Sequence, residues 1–390
     1  MSAVVEALAS PPRAGSDASW RRSLATPSTG DGRPRHLVHV FPSFDVGGAQ
    51  VRFAALAAGL GDRFRHTVLS VNGSYEAAVL IPRDLRVQYA APGAPARGLP
   101  LRLMAYSAQL ARLQPDLLMT YNWGAIEYAL ANLFRTTPHL HMEDGFGPEE
   151  AKAQFRRRVC TRHVALAASH VLVPSRTLQT IATRTWGLKE DRVHYVPNGL
   201  ACRGEPVTRL DQLQLDLPIG RPRIIWAGAL RPEKNPLRLL RAFAPLKDRA
   251  VLLVLGDGPG RAAVEAEAGR LSLGASLRLL GRRTDARDII MQADILALSS
   301  DTEQMPFAVL EAMDAGLPVA STNVGDVRRM VATENRPFIV SPCSVALGWA
   351  LRTLVEDPEL RTRIGEANRR RTRGLYSLER MIRTHADLLD

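Results

Sequence analysis

Cysteine is scarce in this 390-residue chain. Cys160, Cys202 and Cys343 are scattered, odd in number and without metal-ligand spacing, which excludes a disulfide framework and suits a reducing compartment. No run reaches the roughly 18 apolar residues that a membrane-spanning helix needs. Lysine occurs only at positions 152, 189, 234 and 247, so the formal charge of +12 comes almost wholly from arginine. GC-rich coding gives the same Arg-, Ala-, Leu- and Gly-rich mixture without functional pressure. Surplus arginine also suits a phosphate-bearing ligand or an anionic membrane face. No stacking aromatic set and no helix-turn-helix pattern accompanies the basic runs "FRRRVCTRH" and "NRRRTRG", so no nucleic-acid partner is expected. The histidines lack zinc spacing. Residues 1–34 hold Pro, Gly, Ser and Arg without an apolar h-region and read as a disordered tail, not a signal peptide. The expected location is the cytoplasm.

What is present is a repeated alternation. Hydrophobic residues make up 46% of a chain too long for one ordinary core, so two domains are expected. From "HLVHVF" onward, short apolar strands alternate with amphipathic helices, and the pattern restarts at "PRIIWAG". That predicts an α/β protein with two Rossmann-like, doubly wound parallel-sheet domains. The boundaries read as 35–200 for the first domain, 201–219 for a linker, 220–370 for the second domain and 371–390 for a C-terminal helix. Open parallel sheets bind ligands beyond the carboxyl ends of their strands, so the cleft between the domains is the expected site.

Four motifs fall directly after strands. In "DVGGAQ", Gly47 and Gly48 let backbone approach an anion at a helix start, although a simple tight turn reads equally from the residues. In "AGALRPEKNP", Arg231 and Lys234 can place positive charge over a diphosphate; the rival is a solvated basic loop. "LGDGPGR" turns on Gly258 into a helix, with spacing unlike the dinucleotide fingerprint. In "TEQMPFAVLEAMDAGLP", Pro306 suits a first helical turn, and Pro306, Phe307 and Ala308 form a tip whose free N–H groups attract phosphate. Glu303 and Glu311 flank that tip. Carboxylates are repelled by phosphate but accept well from hydroxyls. A nucleotide sugar presents that order: sugar hydroxyls, diphosphate, ribose hydroxyls. Asp301 with Glu303 has the form of an acidic metal pair, yet the helix tip and Lys234 already supply positive charge, so neither metal nor other cofactor is expected.

In order, "VGGAQ", "VPSRTLQ", "VPNG", "GALRPEKNP", "GDGP", "GRRTD" and "ADILALSSDTEQMPFAVLEAMDAGLPVASTNVGD" resemble the family 4 glycosyltransferases of GT-B fold over about residues 36–385. The resemblance implies retaining transfer from a UDP- or GDP-sugar to a hydroxyl acceptor, in polysaccharide or glycolipid synthesis. It implies Glu303 on the transferred sugar, Glu311 on the ribose, and Lys234 on the diphosphate, with Gly47 and Gly48 against it from the other domain. A histidine near the sugar would be His139 or His141, His141 preferred, making Glu303, His141 and Lys234 the catalytic set. Glu143 and Asp144 would meet a saccharide or lipid-linked acceptor, with peripheral contact at the inner membrane face. The C-terminal helix would return to the first domain. Two positions depart from the family: Ala229 replaces the usual arginine, leaving Arg231 as its substitute, and Gln304 stands where glycine is common, which points to altered sugar choice. A nucleotide-sugar epimerase, or another non-transferase enzyme such as a phosphorylase, on the same fold is the rival; an epimerase would need no acceptor.

Overall fold

The computed structural model describes residues 33–93, 98–150, 153–202, 204, 206, 208–213, 217–218 and 220–389. The expected disordered tail therefore lies almost wholly outside the described residues, as do parts of the expected linker.

Two parallel sheets carry the chain. The first contains β1 (Arg35–Phe41), β2 (Phe64–Ser70), β3 (Val87–Ala90), β4 (Leu117–Tyr121), β5 (His139–Met142), β6 (His170–Val173) and β7 (Val193–Tyr195), in the order β3-β2-β1-β4-β5-β6-β7. The second contains β8 (Arg223–Ala227), β9 (Val251–Leu255), β10 (Leu277–Gly281), β11 (Ile295–Leu298), β12 (Val319–Thr322) and β13 (Ile339–Val340), in the order β10-β9-β8-β11-β12-β13. Central strands such as β4 (LLMTY) and β9 (VLLVL) are buried along their whole length, because helices cover both faces of a parallel sheet. No helix among the described residues is long and apolar enough to cross a membrane.

Strand order reverses between β1 and β4, and again between β8 and β11. The turns leaving β1, β8 and β11 therefore stand at the switch-point crevices. The helix Gly48–Leu60 follows β1, and the helix Phe307–Ala315 follows β11.

The chain crosses between domains twice, and the crossings are tied together. Leu200 N–H donates to the Tyr376 carbonyl (2.8 Å), and Leu378 N–H donates to the Leu200 carbonyl (3.0 Å). A Cβ on Gly199 would lie 2.5 Å from the Ser377 carbonyl oxygen and 2.7 Å from Met381 Cβ, so only glycine lets the strands approach. The tail reads as one helical stretch but is two helices. Pro358–Leu375 stays with the second domain, where Asn368 Nδ2 donates to the Leu317 carbonyl (2.9 Å). Leu378–Leu389 returns to the first domain, placing Leu388 and Leu389 in the core around Leu37, Phe41 and Phe53. The crossing falls at Tyr376–Ser377, later than the sequence boundary at 371, because the period continues through residues that pack on different domains.

Part of the arginine excess has a structural use. Arg369 donates to the carbonyls of Asp314 (3.2 Å) and Ala315 (2.5 Å), and Arg371 to those of Met330 (2.8 Å) and Arg329 (2.9 Å). These are unpaired carbonyls at helix C-termini, the ends where cations are favoured.

Candidate functional site

The helix Phe307–Ala315 starts with Pro306 as its N-cap, one position before the first turn expected from sequence, and has no side-chain cap and no acid in that turn. Pro306, Phe307 and Ala308 are partly exposed, whereas Val309 and Leu310 are buried. The helix Gly48–Leu60, with Gly47 at its N-cap, likewise has neither side-chain cap nor first-turn acid. The two starts meet: a Cβ on Gly48 would sit 3.3 Å from Cδ2 of Phe307. Two positive dipole ends thus converge on the cleft without an internal anion, an arrangement that favours a bound one.

Lys234 and Glu303 are brought together directly. Lys234 Nζ donates to Glu303 Oε1 (2.6 Å), and Ser300 Oγ donates to the same oxygen (2.8 Å). Asp301, the other acid of the apparent metal pair, turns instead to Arg238 (2.6 Å) and Asn235 Nδ2 (3.1 Å). Each carboxylate has its own cation, and among the described residues no group of three or more His, Cys, Asp or Glu could hold a metal. Glu311 lies one turn into the helix and is partly exposed.

Arg231 is exposed on the loop after β8. Asp45, just before Gly47, is held below the usual carboxylate range first by hydrogen bonds from Ser43 and Ser74, and further by the positive charges of Arg282 and Arg231 across the cleft. Gly258 packs on the backbone of the same loop. A Cβ there would lie 2.8 Å from the Leu230 carbonyl oxygen, so its place in the structure is to bring the β9 turn against the basic loop.

The first-domain candidates depart from expectation. His141 has no exposed surface; Nδ1 pairs with Thr120 Oγ1 (2.8 Å), which also pairs with Nε2 of buried His139 (2.8 Å). The Nε2 of His141 is buried without a hydrogen-bond partner among the described residues, 3.7 Å from Glu143, so the sugar contact expected of this ring would need that nitrogen uncovered. Glu143 is equally buried, 3.7 Å from His141 Nε2 and 3.5 Å from Arg162 Nε, and has no exposed surface for the acceptor contact expected of it. Asp144 is held by Arg52, whose Nη2 donates to Oδ2 (2.8 Å).

Several bridging residues lay inside the quoted motifs without an assigned role. Asn198 of "VPNG" accepts from Arg52 Nη1 (3.1 Å) and donates to the Met305 carbonyl (3.0 Å), linking the first domain to the approach of the helix tip. Ser175 of "VPSR" donates to Gln304 Oε1 (2.7 Å). Asp326 of "VGD" accepts from the backbone N–H groups of Arg176 (2.7 Å) and Thr177 (3.1 Å), capping a helix of the other domain. Their partners lie more than a hundred positions away, where no local pattern can find them.

Comparison with known proteins follows this division. Residues 47–199 match the model of the glycosyl transferase 4-like domain, and residues 210–371 match that of glycosyl transferases group 1. A D-inositol 3-phosphate glycosyltransferase of Xylanimonas cellulosilytica is 32% identical over 234 residues, covering 55% of this chain and 56% of the relative. A protein of the same name from Corynebacterium glutamicum is 25% identical over 329 residues, covering 74% and 78%. The chain thus spans little more than half the length of the first relative. Anabaena HepE, solved in complex with UDP, superposes with a TM-score of 0.77 at 18% identity, over 91% of this chain and 99% of that one. With one model on each domain and a shared two-sheet architecture, the chain belongs to the group 1/family 4 glycosyltransferases of the GT-B fold.

Proposed function

We propose that this chain moves a glycosyl group from a nucleoside-diphosphate sugar to a hydroxyl acceptor, with retention at the anomeric carbon. The observation that carries the reading is the meeting of two uncapped helix starts at Gly48 and Phe307, with the Lys234–Glu303 pair adjoining. The diphosphate would lie between these starts, with Lys234 and exposed Arg231 adding charge. Glu303 would accept from hydroxyls of the transferred sugar, and Glu311 from those of the ribose. HepE holds UDP, so uridine is the first base to try.

Catalysis would come from positioning and from stabilising the departing diphosphate. No carboxylate is assigned as a nucleophile, so no double displacement is proposed. Lys234, Arg231 and the helix ends supply the positive charge, and transfer is accordingly proposed to proceed without a divalent metal; a rate unchanged by a chelator would support this. The acceptor is proposed to be a saccharide or lipid-linked saccharide of polysaccharide or glycolipid synthesis. Peripheral membrane contact would rest on exposed arginines such as Arg156 and Arg157. Absence from the pellet with anionic vesicles at both low and high salt would overturn that part.

The deciding experiment is a thermal-shift panel of nucleoside diphosphates and their sugars, with Glu311→Ala alongside. Wild type should melt higher with UDP or GDP. The variant should lose most of that shift and no longer distinguish UDP from its 2′-deoxy analogue. No shift with any diphosphate would overturn the function; equal shifts in both proteins would remove Glu311 from the ribose.

A further inference from the structure

A cavity of about 960 Å³ opens between the domains beside Glu303. Of the residues given to the donor above, Glu303 alone lines it; Gly48, Lys234, Phe307 and Glu311 do not. The carboxylate proposed to hold the transferred sugar therefore stands where the donor groove and a second, separate space meet.

Three walls enclose that space. One face of the helix Arg156–Leu166 supplies Arg156, Val159, Cys160 and His163, at the i, i+3, i+4, i+7 spacing of a single helical stripe. Ile181, Thr185 and Trp186 form the second wall, and the second domain closes the third with 301–304 and 323–325. Arg162 stiffens the aromatic part from behind. It is fully buried, its guanidinium carbon is 5.4 Å from the Phe146 ring and 5.0 Å from the Trp186 ring, and it is paired with Glu150 (3.0 Å). Trp186 Nε1 donates to Gln154 Oε1 (2.6 Å), which holds the indole in place.

The lining chemistry narrows the ligand. Flat or branched apolar groups (Phe146, Val159, Ile181, Trp186) alternate with neutral hydrogen-bonding ones (Gln154, Thr185, Thr302, Gln304, Asn323). In the bonds of Gln154 to Trp186 and of Gln304 to Ser175 the amide oxygen is the acceptor, leaving the amide N–H groups as the ends for another partner. A pyranose ring has the matching pair of surfaces: an apolar C–H face and a rim of hydroxyls. The lining carries three carboxylates, of Glu150, Asp301 and Glu303, each already paired with a cation (Arg162, Arg238 and Lys234), so a phosphate would find one further guanidinium among the described lining residues, that of Arg156. The volume is at the upper end of the roughly 300–1,000 Å³ usual for small-molecule sites, which leaves room for more than one ring.

We propose that this cavity receives the acceptor and that the acceptor is an uncharged glycoside, its ring against the partly exposed side chains of Phe146, Val159 and Ile181 and its reacting hydroxyl at Glu303. This rests on the donor reading above. The acceptor oxygen bonds to the anomeric carbon as the bond from that carbon to the diphosphate oxygen breaks. The electron pair of that bond and the acceptor's proton leave with the nucleoside diphosphate.

Cys160 gives the test a built-in probe, being an exposed thiol on the lining. In full-length protein carrying Cys202→Ser and Cys343→Ser, the rate of maleimide labelling at Cys160 is measured with UDP present, with and without 4-nitrophenyl maltoside, and separately with glucose 6-phosphate. The uncharged glycoside should slow labelling several-fold and the phosphorylated sugar should not. Thr185→Trp, at an exposed lining position, should abolish the protection while leaving the UDP melting shift unchanged, which also reports that the variant is folded. Labelling unaffected by the glycoside, protection by the phosphorylated sugar alone, or protection that survives Thr185→Trp would each overturn the assignment. Loss of the UDP shift in the parent protein, with glycoside protection intact, would instead count against the donor reading and leave the cavity assignment standing.

Discussion

Lys234 Nζ lies 2.6 Å from Glu303 Oε1, so the groups proposed for the diphosphate and for the sugar are each other's partners before a donor arrives. A diphosphate must compete with Glu303 for the ammonium, and the donor is held only when both groups exchange partners. Lys234→Met should weaken UDP binding by about 10- to 100-fold, the worth of one charge-assisted hydrogen bond. Glu303→Gln should leave UDP binding equal or tighter, because the ammonium is released, while lowering the transfer rate by roughly 100-fold. Titration calorimetry with UDP alone separates the two. Weakened UDP binding in Glu303→Gln would contradict this competition.

The tie at Gly199 predicts a stability effect remote from chemistry. Gly199→Ala forces a methyl to within 2.5 Å of the Ser377 carbonyl oxygen and 2.7 Å of Met381 Cβ. Overpacking of this kind costs about 1–3 kcal/mol. The helix Leu378–Leu389 should loosen from the first domain, with faster amide exchange there and a lower melting temperature. Unchanged exchange in that helix would show that the crossing tolerates the methyl.

Buried histidines make the first domain acid-labile. His39 Nε2 pairs with His66 Nδ1, and His170 Nδ1 with His194 Nε2, each at 2.9 Å, bonds that need at least one neutral ring. Burial, chiefly, lowers His66, His170 and His194 to about 4 and His139 to about 3; neighbouring positive charges add to the effect. The unfolded chain takes up protons near the ordinary histidine value of about 6.5, before the folded one does. The stability from these groups is therefore complete above that value and is lost as pH falls toward the folded values near 4. Each group contributes a slope of about 1.4 kcal/mol per pH unit within that window. Urea midpoints measured from pH 7.5 to 4.5 should hold steady and then fall steeply below about 6.5. A flat profile through pH 5 would contradict it.

Much of the architecture was legible because it is written in local periodicity. Strands such as β9 (VLLVL) are continuous apolar runs, and β1 (RHLVHVF) is largely apolar, with a glycine turn after each. Two of the edge strands were not: β3 is four residues of partly exposed VQYA and β13 only two residues, so neither carries an apolar signal. Within the candidate site, charge and motif single out Glu303 and Lys234 but not their mutual pairing, because it joins loops 69 positions apart. His141 shows the same limit: a histidine at a strand end reads the same whether its ring is open to the cleft or bonded to a buried threonine such as Thr120.

Gln304 is the position where that limit matters most. As a departure from the family's glycine it suggested a change in sugar choice, yet its amide oxygen accepts from Ser175 of the opposite domain (2.7 Å), and the residue is 5% exposed. Asp326 adds a second bond set from the same side, accepting from Thr177 N–H and from Thr177 Oγ (2.7 Å). Together they join the second domain to the start of a first-domain helix, next to the cleft that must admit a donor. The expected effect of Gln304→Ala is thus on the opening of the domains, since it removes a buried hydrogen bond worth about 1 kcal/mol and leaves the Ser175 hydroxyl without that partner. Small-angle scattering of the ligand-free variant should give a larger radius of gyration than wild type, and UDP should restore the compact form. The ratio of kcat/KM for UDP-glucose over UDP-galactose should stay within about twofold of wild type, because a bond removed equally for both donors carries no discrimination. If that ratio instead moved tenfold while the scattering stayed the same, Gln304 would be reading the sugar and the interdomain bond would be incidental.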